Sequence, residues 1–343
     1  MNTNTMRYSV VHADAEPDWE LPIERGLLSE AGADLTCAGV FDPQDIVAAA
    51  RDAHALLADN ADVPRQVIEG LRRCLVIAVY GIGYNHVDVD AATEHGILVT
   101  NTPAFCTEEV SNHAMMLLLA CAKKLIWLDQ GMRKGSWPDN RFLETTLSPV
   151  GSVVGERLGL VGMGSIGREM ARKAKAFGMH VSAFTRHPDA PMYAELGVEP
   201  LTLTPLLEQS DYVSLHVPLS DQTRGLLGAE ELRLMKPSAY LINTARGAVV
   251  DQDALITALQ EKWIAGAGLD VFTPEPLPAD SPLLAMDNVV VTPHVASYSD
   301  AAFARMRSRV AEEVSMALRG QWPTAVVNPQ VRGRSRLEAA AQP

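Results

Sequence analysis

The stretch Arg157-Leu-Gly-Leu-Val-Gly162-Met-Gly164-Ser-Ile-Gly167 carries the spacing G-x-G-x-x-G directly after a short apolar run. A helix-like run follows, and His180-Val-Ser-Ala-Phe-Thr185-Arg186 then predicts a second strand. In this order of strand, turn, helix and strand, the glycine spacing predicts a dinucleotide-binding turn. Gly162 permits the tight turn, Gly164 lets the backbone approach a pyrophosphate, and Gly167 lets the helix pack closely on its strand. The alternative is a glycine-rich turn that binds no ligand.

Composition limits the class of protein. The chain has 343 residues, enough for about two domains. A net charge of −13 argues against nucleic acid or an anionic membrane as a partner, so an anionic substrate would need a local cationic trap. The four cysteines form no C-x-x-C pair, which argues against a metal site and for a reducing compartment. With no apolar signal-peptide core near the N-terminus, these features predict a cytoplasmic protein.

Short apolar segments alternate with helix-like stretches, which predicts βαβ units and parallel sheets. The first series of predicted strands is Tyr8–His12, Ala55–Leu57, Val76–Ala78 and Leu98–Val99. The second series is Leu158–Val161, Val181–Phe184, Tyr212–His216, Tyr240–Asn243, Gly268–Val271 and Val289–Thr292. We therefore expect an α/β protein with two doubly wound parallel-sheet domains, the cofactor domain second in sequence. The expected bounds are 1–103 plus 297–332 for a substrate domain and 104–296 for a dinucleotide-binding domain.

Three further segments are predicted from their composition. Residues 108–128 form one long, buried helix, because apolar side chains recur on more than one face. Residues 131–155, rich in Gly, Pro and Ser, form an irregular arm or linker. A last helix over 301–319 returns to the first domain, and residues 333–343 form a disordered tail.

Three polar residues follow predicted strands beyond the glycine turn. Arg246 follows Leu241-Ile-Asn-Thr-Ala, Glu275 follows Gly268-Leu-Asp-Val-Phe-Thr-Pro, and His294 follows Val289-Val-Val-Thr-Pro. In an open parallel sheet, ligands bind outside the carboxyl ends of the strands, so all three residues belong on the cofactor side. A guanidinium can bind a carboxylate, and a histidine beside an acid can exchange a proton. Singly, each residue is more simply explained as structural; together, after a dinucleotide turn, they predict redox chemistry.

The chain resembles the D-isomer-specific 2-hydroxyacid dehydrogenase family, which includes glyoxylate/hydroxypyruvate reductases, phosphoglycerate dehydrogenases and C-terminal-binding proteins. The resemblance covers about residues 75–297. It rests on the 157–167 turn and on Gly81-Ile-Gly-Tyr-Asn-His-Val-Asp88, Gly96-Ile-Leu-Val-Thr-Asn-Thr-Pro103, His216-Val-Pro218, Asn243-Thr-Ala-Arg-Gly247, Gly268-Leu-Asp-Val-Phe272 and Thr292-Pro-His294. The fold it implies is a flavodoxin-like substrate domain and a Rossmann cofactor domain with a cleft between them.

The resemblance also implies roles for individual residues. Arg246 would bind the substrate carboxylate, His294 would be the acid in reduction and the base in oxidation, and Glu275 would favour the protonated form of His294. The N–H groups of Ile82 and Gly83 would hold the other end of that carboxylate, so the expected substrate-binding residues are Ile82, Gly83, Arg246 and His294. Asp270 would contact the nicotinamide carboxamide. The residues expected to hold the cofactor are Gly162, Gly164, Ser165, Ile166, Gly167, Thr185, Arg186, His187, Val217, Pro218, Thr223, Thr244, Ala245, Arg246, Asp270 and His294. A homodimer built on the cofactor domains is also expected.

One departure from the family pattern bears on the cofactor. NAD-preferring relatives usually carry Asp at the end of the second strand, and here that position is Thr185, followed by Arg186 and His187. An Asp would repel a 2′-phosphate, whereas Arg186 could pair with it. The sequence therefore favours NADP(H) over NAD(H). The alternative is that Arg186 faces solvent and the enzyme uses both cofactors.

For the substrate, a small 2-oxo acid such as glyoxylate or hydroxypyruvate is expected, and its reduction yields a D-2-hydroxy acid. A second class stays open at this point. C-terminal-binding proteins keep the fold and the three polar residues, yet act mainly as dinucleotide-sensing corepressors. Such an interaction protein would bind a dinucleotide tightly and turn over no 2-oxo acid.

Overall fold

The computed structural model describes residues 7–135, 137, 150–185 and 190–340. They divide into two compact units. Unit 1 comprises the described residues of Met1–Phe105 and Ser299–Pro343, and unit 2 comprises those of Cys106–Tyr298. Each boundary lies two residues beyond the expected one. Among the described residues, every helix is too short or too polar to traverse a lipid bilayer.

Unit 1 begins with alternating strands and helices. They are β1 Tyr8–His12, α1 Pro22–Glu30, β2 Ala33–Cys37, α2 Pro43–Ala50, β3 Ala55–Ala58, α3 Arg65–Gly70, β4 Val76–Val79, α4 Val89–Glu94 and β5 Leu98–Thr100. The strands pair in parallel in the order β2-β1-β3-β4-β5, which is the flavodoxin-like order. The sequence reading missed β2. Only alternate residues of this edge strand are buried, so it lacks the continuous apolar run that marked its neighbours.

Unit 2 follows the same alternation over a larger sheet. Its elements are α5 Thr107–Ala122, α6 Leu125–Arg133, β6 Arg157–Val161, α7 Ser165–Ala176, β7 His180–Phe184, α8 Pro191–Leu196, β8 Glu199–Leu201, α9 Leu203–Gln209, β9 Tyr212–Leu215, α10 Ala229–Leu234, β10 Tyr240–Asn243, α11 Gln252–Gln260, β11 Gly266–Leu269 and β12 Val289–Val291. Its parallel strands lie in the order β12-β11-β10-β9-β6-β7-β8. The reversal at β6, where the strand order changes direction, is that of the Rossmann fold.

The sheet of unit 2 is buried on both faces. Leu241 packs in one apolar cluster with residues of α9 to α11, and Ile242 packs in the opposite cluster with residues of α5 and α7. Neighbouring residues face opposite ways because side chains alternate along a strand. This burial explains the nearly continuous apolar runs that identified the strands from sequence.

The predicted single helix over 108–128 is wrong. α5 ends at Ala122, Lys124 has a left-handed φ of 50°, and α6 begins at Leu125. A left-handed residue interrupts the helical hydrogen bonds, whereas the apolar pattern runs across the break and concealed it. The predicted irregular arm over 131–155 also needs correction, because α6 extends to Arg133. Residues 136 and 138–149 of that arm lie outside the described residues.

The chain returns to unit 1 with α12 Asp300–Leu318, and the last helix of the described residues is α13 Arg336–Ala340. The prediction of a disordered tail over 333–343 is wrong for residues 333–340. Leu337 is buried, and the guanidinium of Arg336 donates hydrogen bonds to the carbonyl oxygens of His95 and Leu71. These contacts hold a segment whose own composition offers little apolar surface. Residues 341–343 lie outside the described part of the chain.

Candidate active site

The glycine turn after β6 has the geometry of a phosphate-binding cradle. Gly162 has a φ of +106°, and a Cβ added there would lie 2.7 Å from the carbonyl oxygen of His216. A Cβ on Gly167 would collide with the carbonyl oxygen of Gly162, whereas a Cβ on Gly164 would meet nothing within 4 Å. Gly162 and Gly167 are therefore required by the packing of the turn, and Gly164 borders open space.

The N-terminus of α7 faces that open space without a side-chain cap. Gly164 is the N-cap residue and offers no side-chain hydrogen bond to the first turn, which contains Ser165 and Ile166. The first N–H groups of a helix have no partner within the helix and carry the positive end of its dipole. They are therefore suited to bind a pyrophosphate at this point.

The carboxyl ends of the neighbouring strands surround the turn. Phe184 of β7 pairs with Val161 of β6, so Thr185 lies level with Gly162. Arg186 and His187, expected to bind the cofactor, lie outside the described residues. After β9, Val217 is half-buried and its Cγ1 lies against the Gly162 position. These placements put the ends of three adjacent strands around one cradle.

The loop after β9 is held by its own hydrogen bonds. Thr223 Oγ1 donates to the carbonyl oxygen of Pro218 at 2.6 Å. His216, beneath the glycine turn, lies 2.9 Å from Ser214 Oγ through its Nε2. Burial lowers the pKa of His216 to about 4, so this histidine stays neutral near pH 7 and supports the turn sterically.

The segment after β10 presents Thr244, Ala245 and Arg246. Asn243 closes the turn, because its Nδ2 donates to Arg246 O at 3.0 Å and its Oδ1 accepts from Ala245 N at 3.0 Å. Thr244 Oγ1 is buried and has no hydrogen-bond partner in the described part of the chain. A buried hydroxyl without a partner is costly unless a ligand satisfies it. Together with the open space at Gly164, it shows that the residues present fit a dinucleotide.

Arg246 places a positive charge at this edge of the sheet, where an anion could bind. Its side chain is half-buried, and its Nη1 donates to Ala245 O at 2.7 Å. Burial lowers the pKa of Arg246, and the negative charge of Glu275 acts in the opposite direction. The guanidinium remains charged because an arginine pKa starts far above neutrality.

Glu275 and His294 form a close pair. His294 Nδ1 lies 2.7 Å from Glu275 Oε2, and Glu275 Oε1 accepts a hydrogen bond from Phe272 N at 2.8 Å. Burial alone would raise the pKa of Glu275, but the bonds from His294 and Phe272 lower it below its ordinary value. The acid is therefore a carboxylate that orients the imidazole through Nδ1.

The other nitrogen of His294 is open to a reactant. The side chain is 47% exposed, and no residue in the described ranges hydrogen-bonds to Nε2. The backbone of His294 has a left-handed φ of 52°. An imidazole anchored at Nδ1 and free at Nε2 can donate or accept one proton in a defined direction.

Asp270 is fully buried behind this pair. Its Oδ1 accepts from Thr292 Oγ1 at 2.6 Å and Val295 N at 2.9 Å, and its Oδ2 accepts from Ala296 N at 2.9 Å. Both carboxylate oxygens thus hold the loop that carries His294. This contact was not foreseen from the sequence, and the expected contact of Asp270 with a nicotinamide stays a prediction.

Ile82 and Gly83 lie in unit 1, beyond the carboxyl end of β4. Asn101 Nδ2 donates to Ile82 O at 2.7 Å and orders the loop. Within the described residues, the N–H groups of Ile82 and Gly83 have no hydrogen-bond partner. Their role in binding the substrate carboxylate stays a prediction.

Sequence reasoning missed His113 and Thr292. His113 Nε2 lies 2.9 Å from Thr292 Oγ1 and 3.5 Å from Asp270 Oδ1. The available signal was a histidine directly after Asn112, where the polar first turns of α5 give way to an apolar run, and a threonine at the end of the strand that precedes His294. Neither signal is specific without the fold.

A sheet of this order, with an uncapped helix behind a glycine turn and a cation beside an acid–base pair, defines a dinucleotide-dependent oxidoreductase. Residues 115–296 match the family described as D-isomer specific 2-hydroxyacid dehydrogenase, NAD binding domain. The chain is 44% identical over 288 residues to a glyoxylate reductase from Korarchaeum cryptofilum, covering 83% of this chain and 86% of that protein. The chain belongs to the D-isomer-specific 2-hydroxyacid dehydrogenase family.

Two solved structures are similar throughout. A glyoxylate reductase from Paecilomyes thermophila superposes with a TM-score of 0.84 at 28% identity, covering 95% of this chain and 100% of that one. An NADPH-dependent glyoxylate/hydroxypyruvate reductase from Sinorhizobium meliloti, in complex with NADP and malonate, has a TM-score of 0.81 at 31% identity, covering 94% and 97%. The expected family, the two parallel-sheet α/β domains and the class of NAD(P)-dependent 2-oxoacid reductase are confirmed, and the corepressor-like alternative is not favoured.

Proposed function

We propose that this enzyme reduces glyoxylate or hydroxypyruvate to the corresponding 2-hydroxy acid with NADPH, giving the D configuration where the product is chiral. The observation that carries the proposal is the 2.7 Å contact between His294 and Glu275, at the same sheet edge as Arg246. The reductases named above, which act on glyoxylate or on glyoxylate and hydroxypyruvate, support the choice of substrate.

When bound, the reduced nicotinamide supplies the hydride. Arg246 binds the substrate carboxylate and, through its positive charge, withdraws electron density from the adjacent carbonyl. His294 donates the proton on Nε2 to the carbonyl oxygen as negative charge develops there. Glu275 holds Nδ1 and stabilises the imidazolium before the transfer. Solvent then returns a proton to the exposed ring, and oxidation of the hydroxy acid follows the reverse order.

The cofactor is held at the N–H groups of Ser165 and Ile166, and its identity is set after β7. We infer a preference for NADP(H), since Thr185 lacks the charge of the usual Asp and Arg186 follows it. A charge-assisted bond of roughly 1.5–3 kcal/mol to a 2′-phosphate corresponds to about a 10- to 100-fold preference. The other proposed cofactor contacts are Gly162, Gly164, Gly167, His187, Val217, Pro218, Thr223, Thr244, Ala245, Arg246, Asp270 and His294.

The cofactor test compares kcat/KM with NADPH and NADH. We expect the ratio to favour NADPH in the natural enzyme and to fall at least tenfold in Arg186→Ala. Thr185→Asp is the matched variant, because it restores the acid of NAD-preferring relatives, and it should invert the ratio. A clear preference of the unmodified enzyme for NADH would refute this part of the proposal.

The substrate test is a panel of 2-oxo acids with both cofactors. We expect the highest kcat/KM for glyoxylate or hydroxypyruvate and a lower value for acids with bulky side chains. The product of hydroxypyruvate reduction should be the D isomer when analysed on a chiral column. Tight dinucleotide binding without turnover of any acid would overturn the enzymatic assignment in favour of a dinucleotide-sensing interaction protein.

We also propose a homodimer that buries an apolar face of unit 2. Met116, Leu125, Ile126 and Phe177 are exposed on α5, α6 and the end of α7, and all of them except Ile126 line an open groove of about 590 Å³. Monomers rarely leave so many neighbouring large apolar side chains in water. Light scattering should give twice the chain mass of 37.1 kDa, and Ile126→Glu should shift the mass toward one chain. A monomeric natural protein would contradict the dimer.

A further inference from the structure

We propose that His113 and Thr292 are positioning residues that set the conformation of His294 through the buried carboxylate of Asp270. The inference rests on the proposed acid–base role of His294. All four residues belong to unit 2. His113 lies on α5, Asp270 directly after β11, Thr292 directly after β12, and His294 in the loop that follows β12. Neither His113 nor Thr292 is among the expected cofactor, substrate or catalytic residues.

The backbone of His294 needs external support. Its φ of 52° lies in the left-handed region, which a residue with a side chain adopts at a cost in free energy. His294 N donates to Asp270 O at 2.8 Å and to Thr292 O at 3.1 Å, so the turn is tied on both sides. A residue held in this region persists only where its surroundings specify it.

The carboxylate of Asp270 supplies most of that support. It accepts the N–H groups of Val295 and Ala296, directly after His294, and the hydroxyl of Thr292, two residues before it. One buried anion therefore binds the loop on either side of the catalytic position. Its main-chain oxygen binds His294 itself. Rotation of this carboxylate would release the loop at several points together.

His113 is the first donor in a chain of hydrogen bonds that leads to Asp270. A carboxylate only accepts, so Thr292 donates its single hydroxyl proton to Asp270 Oδ1. The oxygen of Thr292, 2.9 Å from His113 Nε2, must then accept from a proton on that nitrogen. The chain runs from His113 to Thr292 to Asp270, with all donors in one direction, and such chains strengthen each bond in them.

His113 connects this chain to a rigid element. It lies on the 16-residue helix α5, whose neighbouring residues Ala114, Leu117 and Leu118 are buried in the core. Its side chain is largely buried, with 14% exposed. The helix therefore holds the imidazole in place, and the imidazole holds the rotamer of Thr292. Through Asp270, these hydrogen bonds connect the left-handed turn at His294 to the core of unit 2.

Paired variants test the proposal in the full-length enzyme. Thr292→Val removes the hydroxyl and keeps the shape, whereas Thr292→Ser keeps the hydroxyl. His113→Leu removes the donor, whereas His113→Gln keeps an N–H at similar reach. We expect kcat to fall about 10- to 100-fold in the Val and Leu variants and to stay within about threefold in the Ser and Gln variants.

Three further readouts separate positioning from a general structural role. In the Val and Leu variants, KM for the 2-oxo acid and the Kd for NADPH should change less than about threefold, and the alkaline limb of the kcat/KM pH profile, where the proton donor loses its proton, should move. In the Ser and Gln variants it should not move. Full kcat in the Val and Leu variants would overturn the proposal. So would equal losses in the conservative variants, or a loss of kcat that only follows a loss of folded protein.

Amide hydrogen exchange keeps the test independent of the proposed reaction. Val295 and Ala296 should exchange about tenfold faster in Thr292→Val than in Thr292→Ser, whichever acid the enzyme reduces. If the natural enzyme turns over no 2-oxo acid while this difference is observed, the proposed function fails and the positioning stands. Equal exchange in the two variants would overturn the positioning.

Discussion

Two buried aspartates, one in each unit, hold the loop of a neighbouring strand in the same way. Asp14 follows β1 and accepts hydrogen bonds from N–H groups of residues 59–61, which follow the adjacent β3. Asp270 follows β11 and accepts from residues 292–296, which follow the adjacent β12. In both cases a carboxylate at the end of one parallel strand accepts hydrogen bonds from backbone N–H groups of the next loop, which would otherwise lack partners.

The difference lies in what each loop carries. Asp14 accepts hydrogen bonds from backbone N–H groups and lies 3.3 Å from His12 Nδ1. None of residues 59–61, in the loop that it holds, has a left-handed φ. Asp270 also binds the hydroxyl of Thr292, and its loop contains the left-handed His294. The same kind of contact therefore stabilises a loop in unit 1 and, in unit 2, positions the proposed proton donor His294.

The largest expected effect is on turnover. His294→Ala should lower kcat roughly 10²- to 10⁴-fold, because it removes the proton donor, while NADPH still binds. The matched change in unit 1 is Asp59→Ala, in the loop that Asp14 holds, and we expect it to lose far less activity. Single-turnover kinetics and a cofactor titration by fluorescence measure both. Near-normal turnover of His294→Ala would remove the contrast between the loops.

Replacement of the two aspartates by asparagine should separate the two uses. Asp270→Asn keeps one acceptor oxygen but presents an amide N–H₂ to other donors, so we expect kcat to fall about 100-fold through misplacement of His294. Asp14→Asn should keep most of its turnover and lower the free energy of unfolding by roughly 2–3 kcal/mol. Steady-state kinetics and urea unfolding on both variants check whether one variant loses mainly turnover and the other mainly stability. The same pattern of losses in both variants would show that the loops are equivalent.

The stability at acidic pH should depend on Asp14. Burial alone would raise its pKa, but hydrogen bonds with His12 and with the N–H groups of Asn60 and Asp59 lower it from 3.8 to about 2. Because the folded-state pKa is the lower one, this stabilisation is present above pH 4 and is lost as pH falls toward 2. It amounts to about 2 kcal/mol. Urea unfolding between pH 4 and 2 should show this loss in the natural protein and a flatter slope in Asp14→Asn.

The smallest expected effect concerns Asp59. Its side chain is accessible to solvent, yet close protein atoms and the charge of Asp14 raise its pKa to about 6. As the pH rises, Asp59 loses its proton at a lower pH in the unfolded chain than in the folded one. Asp59 therefore lowers the free energy of unfolding as the pH rises from about 4 to 6. Asp59→Asn should remove that decline, by less than about 1 kcal/mol because water screens the charge. A steeper decline in the variant would contradict the sign.

The positions of most strands and of the three polar residues could be predicted, since strand burial and the glycine spacing leave local signals. The edge strand β2 and the break at Lys124 could not, because burial on alternate residues and a single left-handed residue leave the apolar pattern ambiguous. The ordered segment 333–340 depends on Arg336, whose partners lie more than 200 residues away in the chain. No local pattern encodes such a contact.

The amino-acid sequence alone determined the class of fold and the chemical types at the site, because these depend on local spacing: a glycine turn between strand and helix, and an Arg, a Glu and a His after successive strands. Only the tertiary structure decided how they act together. His113 and Thr292 are 179 residues apart, and they meet at 2.9 Å because α5 packs beside β12. The left-handed turn of His294 and its support by Asp270 follow from that packing, since a backbone conformation that is locally unfavourable persists only where distant residues stabilise it.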